Sequence, residues 1–176
     1  KLYFGLQARK MEAYERRICR SSKHVIAVSG IDADRMKSMF GIHSVTSVPT
    51  GVDVEYFAAP PQSPLQLPST SDIVFCGSMD WLPNVDAVIH FVSEVLPLIR
   101  AQLPAATFTI AGRSPDPKVL KPVEGVPGIT VTGKVDDMRP YLWGSKLSVV
   151  PIRIGGGTRL KIYECMAAGL PVVSTT

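Results

Sequence analysis

Four short apolar runs in the later part of the sequence each end on glycine: DIVFC before Gly77, TFTIA before Gly112, ITVT before Gly133, and LSVVPIRI before Gly155. Runs of this length and composition, bounded by glycine, read as strands. Their near-continuous apolarity suits strands covered on both faces. Helical patterns lie between them. After Pro83, which fits the first turn of a helix, Val85, Val88, Ile89, Val92 and Leu96 form an apolar stripe. Pro97 is expected to break that helix. Asp136–Trp143 reads as a short helix carrying Tyr141 and Trp143 into the core, Thr158–Ala168 as another helix, and Pro171–Ser174 as a closing strand. Gly112–Lys121 reads as a loop with one helical turn. Strands alternating with helices require a parallel sheet with right-handed crossovers. Ligands of such sheets sit at the carboxyl ends of the strands. Those ends are Gly77-Ser78, Gly112-Arg113, Gly133-Lys134 and Arg153–Thr158. Tight turns explain one or two glycines at such positions; a ligand lying across the edge explains all four.

The segment PIRIGGGTRLKIYE carries the chemistry. Gly155, Gly156 and Gly157 let the backbone bend sharply and approach a ligand. Thr158 follows as a hydroxyl near a helix start, where free N–H groups and the helix dipole attract phosphate. Arg153, Arg159 and Lys161 add positive charge. Glu164 lies about 10 Å further along the helix and tilts back toward its start. A carboxylate there could accept hydrogen bonds from ribose hydroxyls while the turn holds a diphosphate. The structural alternative is three glycines serving close packing, a surface Arg159, and a Glu164 bonded to backbone.

The first quarter is organised differently. Leu6–Ser21 reads as a helix with Met11, Tyr14 and Ile18 on one side and a Glu12–Arg16 pair on the other. His24–Ser29 reads as a strand, and Ser29 as the cap of a helix running to Phe40, with Asp32 and Asp34 in its first turns and Gly41 ending it. Ser44–Val48 is a further strand. From Thr50 to Ser71 the pattern weakens, and AAPPQSPLQLPSTS reads as a linker.

The chain has 176 residues, 45% of them hydrophobic, and a net charge of +4. Arg16, Arg17, Arg20 and Lys23 cluster. A solvated helix face is the ordinary reading of such a group; peripheral contact with an anionic membrane is the functional one. No aromatic–basic interleaving suggests nucleic acid. Three scattered cysteines fit a reducing, cytoplasmic setting, and neither cysteines nor histidines show metal spacing. The N-terminal residues lack the pattern of a signal peptide, and no run of about 18 apolar residues occurs.

AVSGIDADRM, PTGVDVEYF, IVFCGSMDWLPNVDAVIHF, FTIAGRSPD, ITVTGKVDDMRPYL and above all GGGTRLKIYECMAAGLPVVST resemble, in order, the GT-B type glycosyltransferases of the retaining, group 1, family-4-like class. The resemblance implies an α/β fold of two Rossmann-like domains, each a parallel sheet with helices on both faces, the first binding acceptor and the second donor. Residues 1–50 would then be the end of the first domain and the interdomain crossing, 51–71 a linker, and 72–176 the nucleotide-sugar-binding domain. A chain incomplete at both ends is expected to leave an open sheet edge and to self-associate.

The resemblance further implies that Glu164 is the second glutamate of the family's E-x7-E motif; the first falls at Gly156 and is missing. The cations that follow the first donor-domain strand in the family match Met79 and Asn84, both uncharged, so Arg153, Arg159 or Lys161 would supply charge to the diphosphate and serve as the catalytic cations. Gly77 would open the phosphate-side loop. Gly112 and Arg113 would border the base, and Gly133, Lys134 and Val135 would pack against it, although a lysine in such a loop is commonly solvated. Trp81 and Trp143 are expected in the core, as are Cys165 and Met166. The implied reaction is sugar transfer from a UDP- or GDP-sugar to a sugar or lipid-linked acceptor hydroxyl at the inner face of a membrane, with no cofactor or metal. The rival reading is a module that binds nucleotide without turnover. A dinucleotide oxidoreductase is disfavoured because CGSMDWLPN lacks the G-x-G-x-x-G fingerprint.

Overall fold

The computed structural model describes residues 2–58, 71–155 and 157–175. The chain forms two compact units, Lys1–Gly51 and Val52–Thr176.

In the first unit, helix α1 (Leu2–Ser21) starts earlier than its periodicity indicated, and strands β1 (Val25–Ala27) and β2 (Val45–Ser47) flank helix α2 (Gly30–Phe40). The two strands pair in parallel, Val25 opposite Val45. The caps of α2 are those its sequence prescribes: Ser29 Oγ accepts from the Asp32 N–H at 3.1 Å, and Gly41 takes the left-handed conformation at φ 64°. Arg20 Nε donates to the Phe40 carbonyl at 2.7 Å, tying α1 to the end of α2.

The second unit is built on a parallel sheet of five strands, β3 (Ile73–Cys76), β4 (Phe108–Ala111), β5 (Ile129–Gly133), β6 (Leu147–Val150) and β7 (Val172–Ser174), in the order β5-β4-β3-β6-β7. Every residue of β3 is buried, as a central strand covered on both sides requires. Ile73 and Phe75 face one layer, where they pack with Val85, Val88, Phe91 and Phe108. Val74 and Cys76 face the other, with Ala111, Leu142, Cys165 and Leu170. The alternation along one strand therefore divides the helices between the two faces.

The run Leu82–Gln102 corrects one expectation. Pro97 does not break it: α4 (Leu82–His90) passes through a π-helical turn at Phe91–Val95 directly into α5 (Leu96–Gln102). The Leu96 N–H bonds to the Phe91 carbonyl, and the wider turn meets a proline that has no N–H to offer. By length and composition this run could cross a membrane. Its buried side, including Val88, Phe91 and Leu96, instead packs on the sheet.

Further helices are α6 (Pro117–Val123), capped by Asp116 where only one turn was expected, and α7 (Arg139–Trp143), shorter than its pattern. The residue that α7 buries is Leu142; Tyr141 and Trp143 are half-buried. Within the stretch read as linker, Val54–Phe57 forms helix α3, with Asp53 Oδ1 accepting from the Tyr56 N–H at 2.9 Å. It is held to α7 by Trp143 Nε1 donating to the Phe57 carbonyl at 2.8 Å and by Arg139 Nη1 donating to the Tyr56 carbonyl at 3.1 Å. The rest of the linker, residues 59–70, lies outside the described residues.

Candidate functional site

Because all five strands run the same way, the glycine ends of β3, β4, β5 and the β6 extension meet at one edge. A cavity of about 640 Å³ opens there. The chain leaves β3 toward β4 on one side and reaches β6 on the other, so the cavity sits at the reversal of strand order where α/β sheets hold ligands.

The strand-end glycines are not equivalent. A Cβ on Gly112 would penetrate the Gly77 carbonyl, and its φ is 152°. A Cβ on Gly77 would stand 2.7 Å from Asn84 Nδ2 and 3.1 Å from Lys161 Nζ. These two glycines serve close packing of one loop on another, although both line the cavity. Gly133 ends β5 at φ 69° and is not part of the lining, while Lys134 and Val135 after it are. Gly155 and Gly157, at φ 109° and 83°, have nothing within 4 Å of where a Cβ would stand. Their backbone faces open space, the condition a bound guest needs. Gly156 lies outside the described residues, so the expectation placed on it has no structural account.

Helix α8 begins at Leu160, later than the sequence suggested. Arg159 is non-helical at ψ 81°. Its guanidinium is already engaged: Nη1 donates to Ser174 Oγ, the Thr175 carbonyl and Thr175 Oγ1 at 2.9–3.1 Å, and Nη2 to the Ile152 carbonyl at 3.2 Å. Those bonds tie Arg159 to the ends of β6 and β7. Thr158, Arg159, Lys161 and Glu164 all line the cavity.

Arg153 is a correction. It is absent from the lining, and its guanidinium forms two bonds to Asp86 of α4, at 2.8 and 3.1 Å. The extended chain after β6 turns Ile152 and Ile154 toward the cavity, and alternation carries Arg153 away from it.

Lys161 points across the cavity floor. Its Nζ donates to Asn84 Oδ1 at 2.8 Å and stands 4.5 Å from the centroid of Phe75. Burial pulls its pKa down to about 8. The Cys76 and Cys165 thiols beside it are pushed up by the same desolvation. The Glu164 carboxylate is half-buried and has no hydrogen-bond or ion-pair partner among the described residues, so the alternative of a backbone-bonded glutamate finds no support. Arg113 Nε donates to Ser78 Oγ at 3.0 Å on the opposite wall.

Three lining residues take places that the sequence reading did not give them. Trp81 is half exposed at the cavity rim rather than in the core. Its carbonyl receives the Asn84 and Val85 N–H groups at the start of α4. Asn84, noted in the sequence only as an uncharged residue where the resemblance expected a cation, is buried in the first turn of α4 and bonded to Lys161. Arg139 grips Asp137 through both carboxylate oxygens at 2.7–3.0 Å and lies 4.1 Å from the Tyr56 centroid. That pairing holds the Asp137 carboxyl below the usual range. Met166, expected in the core, is exposed on the outer side of α8, whereas Cys165 is buried.

The arrangement presents cations and open backbone on one side of the cavity and, on α8, a carboxylate with no partner among the described residues. Residues 1–56 match the family model described as Glycosyltransferase Family 4. A comparison with curated proteins found no match. Among solved structures, TarM of S. aureus in complex with fondaparinux, alpha-GlcNAc-glycerol and UDP aligns with 94% of this chain and 32% of its own, at 20% identity and a TM-score of 0.71. A glycosyltransferase from Rickettsia africae ESF-5 aligns with 94% of this chain and 47% of its own, at 18% identity and a TM-score of 0.66. HepE of Anabaena in complex with UDP and glucose aligns with 93% and 47%, at 14% identity and a TM-score of 0.68. At these identities the likeness carries the fold, and the chain spans 32–47% of the length of these relatives. Residues 70–176 match the family model described as Glycosyl transferases group 1; the chain belongs to that family.

Proposed function

We propose that the cavity binds the nucleoside diphosphate of a sugar donor and that the chain serves sugar transfer to an acceptor hydroxyl, with retained anomeric configuration. One observation carries the reading: the open glycine backbone at Gly155 shares a cavity edge with Thr158 and Lys161, while Glu164 stands further along α8 with no hydrogen-bond or ion-pair partner among the described residues. The glycine segment and Thr158 offer N–H and hydroxyl donors to phosphate oxygens. Lys161 and Arg159 stabilise the charge that grows on the diphosphate as the glycosidic bond breaks, which is where electrostatic catalysis acts. Glu164 receives the ribose hydroxyls. Lys134, Val135 and Arg113 border the base, and Trp81 at the rim offers an aromatic face to the sugar. TarM and HepE, whose structures hold UDP, support a uridine nucleotide as the first ligand to try.

Calorimetric titration with UDP and GDP tests this reading. One of the two should bind, and Glu164→Ala should weaken it about tenfold, the loss of hydrogen bonds to a charged group. Unchanged affinity in Glu164→Ala would remove the ribose assignment. A second reading is nucleotide binding without turnover, and it is favoured by Arg159, one of the two proposed cations, whose guanidinium is already bonded to Ser174, Thr175 and Ile152. Donor hydrolysis and transfer assays on this chain, beside a version extended at both ends, separate the two.

A further inference from the structure

We propose that Asn84 is a positioning residue that carries the Lys161 ammonium to the β3 strand end, so that one cation from α8 does the diphosphate-binding work at a loop that has none of its own. The inference rests on the proposed nucleotide site and adds to it the device that makes the site cationic.

The loop after β3 contains no outward cation. Met79 is fully buried, and Asn84 is buried in the first turn of α4. Both ends of the Asn84 amide are engaged: Nδ2 donates to the Ser78 carbonyl and Oδ1 accepts from Lys161 Nζ, each at 2.8 Å. A flipped amide would set its NH2 against an ammonium and its oxygen against a carbonyl, so only one orientation satisfies the site. Gly77 makes room, since a Cβ there would strike both Asn84 and Lys161. The Phe75 ring lies 4.5 Å from the ammonium.

The groups facing Lys161 are few. Cys76 approaches from β3, Cys165 and Glu164 from α8 itself, and Arg159 from the turn before it; both thiols are held neutral by burial. No carboxylate forms a salt bridge to Lys161 among the described residues. A half-buried ammonium bonded to a neutral amide keeps its charge available, and a diphosphate supplies the missing counter-charge. Binding should therefore favour the protonated amine and weaken as pH rises through about 8. Asn84 strengthens the protonated form by accepting its N–H.

The experiment is titration with UDP and GDP between pH 6.5 and 9.5, on the wild-type chain, Asn84→Ala, Asn84→Asp, Lys161→Ala and the double variant Asn84→Lys/Lys161→Ala. The inference predicts that Asn84→Ala weakens binding about tenfold at pH 8 and moves the loss of affinity to lower pH. Asn84→Asp should keep the fold and the lysine's charge yet weaken binding, because a carboxylate would neutralise the cation. Lys161→Ala should lose both the affinity and its pH dependence, and Asn84→Lys should restore affinity by presenting a cation from the other partner. If the wild type binds a nucleotide while Asn84→Ala and Asn84→Asp reproduce its affinity and pH profile, the positioning role is overturned and the site reading stands. If the wild type binds neither nucleotide, the site reading falls and takes this inference with it.

Discussion

The position of a Cβ on Gly112 is already occupied by the carbonyl oxygen of Gly77, so the ends of β3 and β4 touch backbone to backbone beneath the cavity. Gly155, at the end of the β6 extension, faces open space. Gly112→Ala combines a steric clash with a φ that side chains avoid and should cost about 2–5 kcal/mol. Gly155→Ala adds only conformational strain, about 1–2 kcal/mol. Urea denaturation of both variants checks the difference; equal costs would contradict the assignment of Gly112 to packing.

The two arginines flanking the glycine segment should behave differently. Arg153→Ala breaks an exposed ion pair with Asp86 outside the cavity and should leave the melting temperature and nucleotide affinity nearly unchanged. Arg159→Ala removes bonds to Ser174, Thr175 and Ile152, and should cost about 1–3 kcal/mol of stability as well as nucleotide affinity. Thermal melts with and without UDP distinguish the pair.

How much of this was legible in the sequence differs from residue to residue. Strand ends, the Ser29 and Gly41 caps and the common cavity edge follow from local rules: apolar runs, turn residues and the parallel topology that strand–helix alternation demands. Roles that depend on contacts between distant segments did not. Arg153 and Arg159 look alike in sequence, and only alternation after β6 and the ends of β7 separate them. Pro97 should break a helix by local rule, but a π-helical turn before it absorbed the missing bond. Trp81 was expected in the core, yet it stands half exposed at the start of α4. Asn84 is bonded to Lys161, 77 positions away, and no periodicity reports that contact.

Acid should loosen the second unit through Asp72. Its carboxyl bonds to Lys146 Nζ at 2.7 Å, the Thr107 N–H at 2.9 Å and Thr107 Oγ1 at 3.0 Å, pinning the start of β3 to β4 and β6. These bonds, the lysine's foremost, hold its pKa down to about 2 from an ordinary 3.8. A depressed carboxyl contributes stability that is present above its unfolded value and is lost as pH falls through the folded one. Melting temperatures of the wild type should drop between pH 4 and 2, and Asp72→Asn should start lower and show a shallower drop. Parallel acid profiles would exclude this carboxyl as the cause.

Trp81 offers an optical readout. Its exposed indole stands at the cavity rim, whereas Trp143 is tied by Nε1 to the Phe57 carbonyl. UDP or a UDP-sugar should change the fluorescence of the wild type and of Trp143→Phe, and not of Trp81→Phe. Trp81→Phe should stay within about 0.5 kcal/mol of wild-type stability, as an exposed side chain with no hydrogen-bond partner among the described residues would.

The central claim is that the strand-end cavity of the second unit holds a nucleoside diphosphate. A crystal structure of the chain soaked with UDP tests it most directly. Diphosphate density is expected against the backbone of Gly155 and Thr158, within hydrogen-bond distance of Lys161 Nζ, with the ribose hydroxyls on the Glu164 carboxylate. UDP bound elsewhere, or bound in the cavity with Lys161 and Glu164 both out of reach, would contradict it.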